Sequence, residues 1–242
     1  MPSTSGRSGH AARRRSVAST SATCSTRAGV AATTDIPHPH FAGKYPKFVA
    51  QAGRRGATEH RRRLLAGLEG RVAEVGAGDG ANFQLYPATV TEVIAIEPEP
   101  TLRSIAIEAA EHAPVPVRVV GGTAESLPLG DGETDAVVAS LVLCSVADQA
   151  RALAEMRRVL RPGGELRFYE HVVARRQPKR AILQLLDRSG LWPAIAGGCH
   201  PARDTAAAIR AAGFTIEGCE RLGFRAIALA PLVPHILGIA RR

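Results

Sequence analysis

The segment Val72-Ala-Glu-Val-Gly-Ala-Gly-Asp-Gly-Ala-Asn-Phe83 puts glycines at 76, 78 and 80 directly after a short apolar run. Glycine lets the backbone turn sharply and lets a ligand pack against bare main chain. A strand feeding such a loop, with a helix start to follow, commits the chain to an α/β architecture. The glycines alone are ambiguous. Gly76-x-Gly78-x-x-Ala81 also satisfies the dinucleotide fingerprint, so a nicotinamide cofactor and another adenosyl cofactor fit equally well. Two carboxylates separate these readings. Glu74 lies inside the first strand, where it would repel a phosphate and welcome an ammonium group or N–H donors. Glu97 ends the second strand, where a carboxylate can bond both hydroxyls of a ribose.

Beyond residue 70, strands and helices alternate. Strands are predicted at 72–75, 93–96, 115–120, 135–140, 165–169, 214–220 and 235–240. A helix start is predicted at 81–85 and helices at 102–112 and 148–160, with a helical region at 179–212 broken by a loop near 193–201. In the 148–160 helix Ala150, Leu153, Met156 and Leu160 recur at helical spacing, and Arg161-Pro162-Gly163-Gly164 stops it, because proline cannot continue a helix and glycine permits the closing turn. This alternation predicts a parallel sheet with helices on both faces and ligands at the carboxyl ends of its strands.

The net charge of +9 suggests a polyanion partner until it is divided along the chain. Residues 1–71 carry a net +10 and residues 72–242 a net −1, so the excess belongs to the N-terminal region. Residues 1–36 are rich in Ser, Thr, Ala and Arg, lack hydrophobic periodicity, and read as a disordered tail. Residues 37–70 read as a helical cap: Phe41, Tyr45, Phe48 and Val49 recur at helical spacing, and 59–68 forms a second amphipathic stretch. Residues 71–242 form the cofactor-binding domain. The tail leaves organellar targeting open, while a cytoplasmic location is expected. The longest apolar stretch is about 15 residues and contains prolines, short of the roughly 20 that span a bilayer. No transmembrane segment is therefore expected, and peripheral membrane contact stays open. The four cysteines, Cys24, Cys144, Cys199 and Cys219, form no C-x-x-C pair, so neither a disulfide scaffold nor a metal site is expected.

Glu74-Val-Gly-Ala-Gly-Asp-Gly followed by Glu97 resembles the signature of class I S-adenosylmethionine (SAM) methyltransferases. Thr123-Ala-Glu125-Ser-Leu-Pro128, Asp135-Ala-Val-Val-Ala-Ser140 and Leu160-Arg-Pro-Gly-Gly-Glu-Leu166 resemble the later blocks of that superfamily, in the right order. The resemblance implies a seven-stranded Rossmann-like sheet of order 3-2-1-4-5-7-6 with an antiparallel last strand. It implies SAM as cofactor, held by Glu74, Gly76, Gly78, Asp79, Gly80, Glu97, Ala124, Glu125, Ser140 and Leu141, with Glu125 at the adenine amino group. Gly80-Ala-Asn-Phe-Gln-Leu-Tyr-Pro87, Leu141-Val-Leu-Cys-Ser-Val146, Tyr169-Glu-His-Val172, Gly197-Gly-Cys-His200 and Pro234-His-Ile-Leu-Gly238 resemble the methyltransferase-like-7 family. That family includes alkyl-thiol methyltransferases, which makes a thiol the leading acceptor.

Methyl transfer from a sulfonium needs alignment, and a base only where the acceptor must lose a proton. His171, at the carboxyl end of the fifth strand, is the expected general base, with Glu170, Cys199 and His200 lining the acceptor pocket. Cys144 reads as a small core residue. Nucleic-acid methylation is disfavoured. Ser140-Leu-Val-Leu stands where amino-methylating DNA enzymes carry Asn/Asp-Pro-Pro-aromatic, and Cys144 follows Leu143 rather than the proline of cytosine-C5 enzymes. The expectation is a SAM-dependent methyltransferase acting on a small molecule. A nicotinamide oxidoreductase and a SAM-binding protein without acceptor chemistry are the alternatives. Oligomeric state is not legible in the sequence.

Overall fold

The computed structural model describes residues 35–190, 192–193, 197–226 and 232–242. The tail expected at 1–36 therefore lies outside the described residues up to position 34. Its last two residues belong to the folded domain: the Ile36 N–H donates to the Pro98 carbonyl and Asp35 pairs with Arg103 at 2.9 Å. The folded domain thus already includes Asp35 and Ile36, which composition assigns to the tail.

Seven strands form one sheet: β1 (Gly70–Val75), β2 (Val90–Ile96), β3 (Val117–Val120), β4 (Thr134–Ser140), β5 (Leu160–His171), β6 (Thr215–Phe224) and β7 (Val233–Arg241). Their order is β3-β2-β1-β4-β5-β7-β6. The first five run parallel, and β7 lies antiparallel to both β5 and β6. The strand order reverses at β1, which is flanked by β2 on one side and β4 on the other. The crevice at that point is where open α/β sheets bind ligands.

Alternate residues of the central strands feed opposite faces. Ala73, Val75, Ile94 and Ile96 join a core closed by Leu153, Met156 and Val159 of α5 (Gln149–Val159) and Ile209 of α7 (Thr205–Ala211). Val72, Val93 and Ala95 join a second core with Leu64 and Leu65 of α3 (Thr58–Leu65) and Ala106 of α4 (Pro100–Ala110). Three of these helices are started by a carboxylate that accepts a backbone N–H of the first turn: Glu99 for α4, Asp148 for α5 and Asp204 for α7. Such caps satisfy donors that the helix leaves unpaired.

The cap region forms α1 (Pro39–Ala42) and α2 (Tyr45–Ala52), with α3 following after a kink at Gly56. Its predicted apolar stripe is only half used: Val49 and Ala52 are buried, whereas Phe41 and Phe48 are 37% and 44% exposed. The helix expected from Ala81 is a single 3-10 turn, Phe83–Leu85. Tyr86 is extended ahead of Pro87, as the residue before proline must usually be, and no room is left for a full helix before β2. The helical region expected at 179–212 resolves into α6 (Lys179–Arg188) and α7.

Candidate active site

The glycine loop leaves β1 and turns under the carboxyl ends of β1 and β2. Gly76 and Ala77 donate to the Ile96 carbonyl, which fastens the loop to β2. Gly76 has φ +68°, and a Cβ there would stand 2.6 Å from Val142 Cγ2. Gly78 has φ +61°, and its Cβ would stand 2.9 Å from the Tyr45 ring of α2. The glycines are therefore required twice, by conformation and by the closeness of two other segments. Gly76→Ala is expected to cost about 1–3 kcal/mol, since it adds left-handed strain to an overpacked contact. The urea midpoint measures this, and an unchanged midpoint would show that the loop relaxes around a methyl group.

The two carboxylates that the sequence singled out are both buried, Glu74 at 2% and Glu97 at 5% exposure. Glu74 accepts from Asn82 Nδ2 and from the Tyr86 hydroxyl, each at 2.8 Å. Glu97 accepts from the Gly78 N–H at 2.7 Å through one oxygen and from the Glu99 N–H at 2.9 Å through the other. Burial pushes both carboxyls up to about 7, with the hydrogen bonds pulling the other way. Each carboxylate oxygen has two lone pairs, so Glu97 keeps acceptor capacity for a ligand.

Tyr45, Arg61, Glu74, Gly76, Ala77, Asp79, Ala81, Asn82 and Ser140 surround a cleft beside the loop. It adjoins a cavity of about 360 Å³ beneath α2, with Arg61, Asp79 and Ala81 on both. Asp79 Oδ1 and Ser140 Oγ are buried without a hydrogen-bond partner. Burial also raises the pKa of Asp79. Arg61 is only 7% exposed and has no ion pair among the described residues. Sequence reading missed Arg61, because within the run Arg61-Arg62-Arg63 only the packing of α3 decides which arginine turns inward. Next to Ser140, Leu141 holds φ 62°, a left-handed conformation that costs a non-glycine residue about 1–2 kcal/mol. Such strain is typical of functional sites. Its N–H donates to the Tyr169 carbonyl at 2.7 Å.

Other expected site residues have different neighbours from those anticipated. Ala124 is buried in the core that α5 closes. Glu125, expected at an adenine amino group, accepts the N–H groups of Ala147 and Asp148 through Oε1, at 3.0 and 3.3 Å. It serves the start of α5, whose unpaired N–H groups attract an anion. Glu170, expected in the acceptor pocket, is fully buried. Its carboxylate takes the N–H groups of Val142, Leu143 and Cys144 at 2.9, 2.9 and 3.1 Å. Burial raises its pKa well above the usual carboxylate range against those bonds. His200 is turned to Asp187 of α6, 2.8 Å away.

His171 sits at the end of β5 as predicted, but its Nδ1 faces Cys144 Sγ at 3.4 Å and Cys199 Sγ at 3.2 Å. Its ring also packs 4.4 Å from that of His235, which burial and the neighbouring His171 lower to about 3. Burial pulls the His171 pKa down, Cys144 and Glu170 push it up, and the balance lies above 6.5. His60 of α3 joins this group through its Nδ1, 3.0 Å from the Tyr169 hydroxyl. No sequence signal marks His60, because its place depends on how α3 crosses β5.

The comparisons with known proteins point the same way as this geometry. Residues 73–168 match a methyltransferase domain family. The chain is 38% identical to the thiol S-methyltransferase TMT1B of Mus musculus over 183 residues, covering 73% of each chain. It is 37% identical to the thiol S-methyltransferase TMT1A of Homo sapiens, again covering 73% of each. The chain belongs to the methyltransferase family that contains these enzymes. Among solved structures, a SAM-dependent methyltransferase from Thermotoga maritima superposes with a TM-score of 0.61 at 23% identity, covering 84% of this chain and 96% of that one. The [4+2]-cyclase SpnF gives 0.65 at 20%, covering 84% and 93%. At these identities the superpositions speak to fold alone, and the cyclase illustrates that one fold hosts different reactions.

SAM is thus the cofactor of this methyltransferase, and the cleft fits it. SAM carries an amino-acid end with both charges, and the cleft offers both, in Arg61 and in Asp79 and Glu74. A dinucleotide pyrophosphate would meet the carboxylates of Glu74 and Asp79 in the cleft, with buried Glu97 hydrogen-bonded to the same glycine loop, against one guanidinium. That balance argues against the nicotinamide alternative.

Proposed function

We propose that this methyltransferase acts on small thiols. Its support is the 38% identity to a thiol S-methyltransferase across most of both chains. We further propose that Glu97 binds the ribose, that Arg61 pairs with the carboxylate of the methionine moiety, and that Glu74 and Asp79 face its ammonium. SAM supplies an electrophilic methyl group on a sulfonium. The protein's own contribution is alignment: the glycine loop and Ser140-Leu141 fix the donor end, and the carboxyl ends of β4 and β5 border the acceptor. The thiolate is the nucleophile, and an ordinary thiol of pKa about 8.5 is only a few per cent ionised at pH 7. A group that favours loss of the thiol proton near that edge therefore raises the rate.

A cytoplasmic setting is part of this reading. Cys144 and Cys199 are free and have sulfurs within 4.8 Å of each other, an arrangement suited to a reducing compartment. Among the described residues no helix is long and apolar enough to cross a membrane.

Turnover of SAM with a panel of alkyl and aryl thiols, amines and phenols tests the assignment. Thiols are expected to be methylated, with kcat/KM rising toward the thiol's pKa. Turnover of an amine or phenol with no thiol accepted would overturn the acceptor class and leave the methyltransferase class intact.

A further inference from the structure

Sequence spacing promised no metal site, because no two cysteines are close along the chain. The fold brings three ligand-type side chains together from distant segments: Cys144 after β4, His171 at the end of β5, and Cys199 ahead of α7. Their donor atoms all lie within 4.8 Å of one another. We propose that Cys144, His171 and Cys199 form a binding site for a thiophilic divalent cation, with Zn²⁺ the ion that fits.

Geometry gives the first reason. With Zn–S near 2.3 Å and Zn–N near 2.0–2.1 Å, a tetrahedral site has N···S edges of about 3.5 Å. The two observed N···S distances are 3.4 and 3.2 Å. The imidazole nitrogen therefore already stands near the required spacing from each sulfur, with the two sulfurs within 4.8 Å of each other.

Hydrogen-bond capacity gives the second. Nδ1 of an imidazole offers one proton or one lone pair. Two sulfurs approach this single nitrogen, so it can satisfy only one of them by hydrogen bonding. One cation bound to all three atoms serves every donor at once. Two protons leave to solvent as the two Zn–S bonds form, which is the proton release expected when thiols become ligands.

The support around the ligands gives the third. Glu170 holds the 142–144 backbone through three N–H bonds. The His200 N–H donates to the Cys144 carbonyl at 2.7 Å and so ties the Cys199 segment to the Cys144 segment. His200 is in turn fixed by Asp187. Outer contacts that orient ligands in this way are characteristic of metal sites.

The test uses the full chain, reduced, stripped with a chelator and titrated with Zn²⁺ against a chromogenic competitor. One equivalent is expected to bind and to raise the melting temperature. Cys199→Ser and His171→Gln are each expected to weaken binding by at least about a hundredfold, more than the loss of an outer-shell partner, whereas Cys219→Ser leaves it unchanged. Co²⁺ in place of Zn²⁺ is expected to show thiolate-to-metal charge-transfer absorption that Cys199→Ser diminishes. The proposal is overturned by binding that survives both substitutions. It is also overturned if the wild type shows no melting shift, or if thiol titration finds Cys144 and Cys199 joined as a disulfide in the freshly purified protein. These readouts do not involve the acceptor, so they stand or fall independently of the thiol assignment.

Discussion

Glu170→Ala is expected to destabilise the protein by about 3–5 kcal/mol, because three backbone N–H groups lose their buried acceptor. The side chain is fully buried, and three consecutive N–H groups, those of Val142, Leu143 and Cys144, have no other partner among the described residues. Each N–H left without an acceptor loses about 1–3 kcal/mol, and the loop relaxes to recover part of the sum. Against a typical total of about 5–15 kcal/mol, that loss is severe. Glu170→Gln provides the comparison. The amide keeps one oxygen, which can still take Val142 and Leu143 as Oε1 does, but it presents an NH₂ group to the Cys144 N–H. Its cost should be the smaller, about 1–3 kcal/mol. Urea unfolding followed by circular dichroism measures both. Equal and small losses would show that the 142–144 turn is held by packing rather than by the carboxylate. SAM affinity should fall along with stability in the alanine variant, because the same turn places Val142 against Gly76.

Glu97→Ala is expected to weaken SAM binding by about 1–3 kcal/mol, roughly ten- to a hundredfold, as ribose hydroxyls lose an acceptor and the Gly78 N–H is left unpaired. Unchanged affinity in a folded variant would remove Glu97 from the site. The pH dependence carries further information. Burial raises Glu97 and Glu74 to about 7 in the cofactor-free protein, from 4.5. Between those values the folded protein binds more protons than the unfolded chain. The contribution of these two groups to stability is therefore complete below about pH 4.5 and is lost as pH rises through 7. Cofactor binding has the opposite dependence. An ammonium group and hydroxyl donors favour the charged carboxylates, so binding expels protons below pH 7. SAM affinity should rise between pH 5 and 7, by up to about tenfold per unit for each proton released, and flatten above. Calorimetry at pH 6.5 in buffers of different ionisation enthalpy counts those protons, and Glu97→Ala should reduce the count. A pH-independent affinity across this range would contradict the assignment of both carboxylates.

The sequence by itself determined the sheet and its cofactor edge. Alternating strand and helix patterns, the glycines at 76, 78 and 80, and the carboxylates at 74 and 97 are local features. Each follows from backbone conformation or from position within one β-α unit. Resemblance to known blocks supplied the strand order, and the observed order is the same. Glu125, Glu170 and His200 are each engaged by the protein itself in the structure, which their place along the chain does not reveal. Sequence position shows that a carboxylate is near an edge. It does not show which N–H groups converge on it, since those arrive from segments 22 to 28 residues away. Arg61 and His60 became site neighbours only because α3 packs across the sheet, and the spacing of charged residues along a helix does not say which one turns inward. The meeting of Cys144, His171 and Cys199 was likewise invisible. Side chains separated by 27 and 28 residues come within hydrogen-bond distance because β4 and β5 are neighbours and the segment before α7 folds back over their ends. Local propensity carries no term for that closure, and the tertiary fold alone decided it.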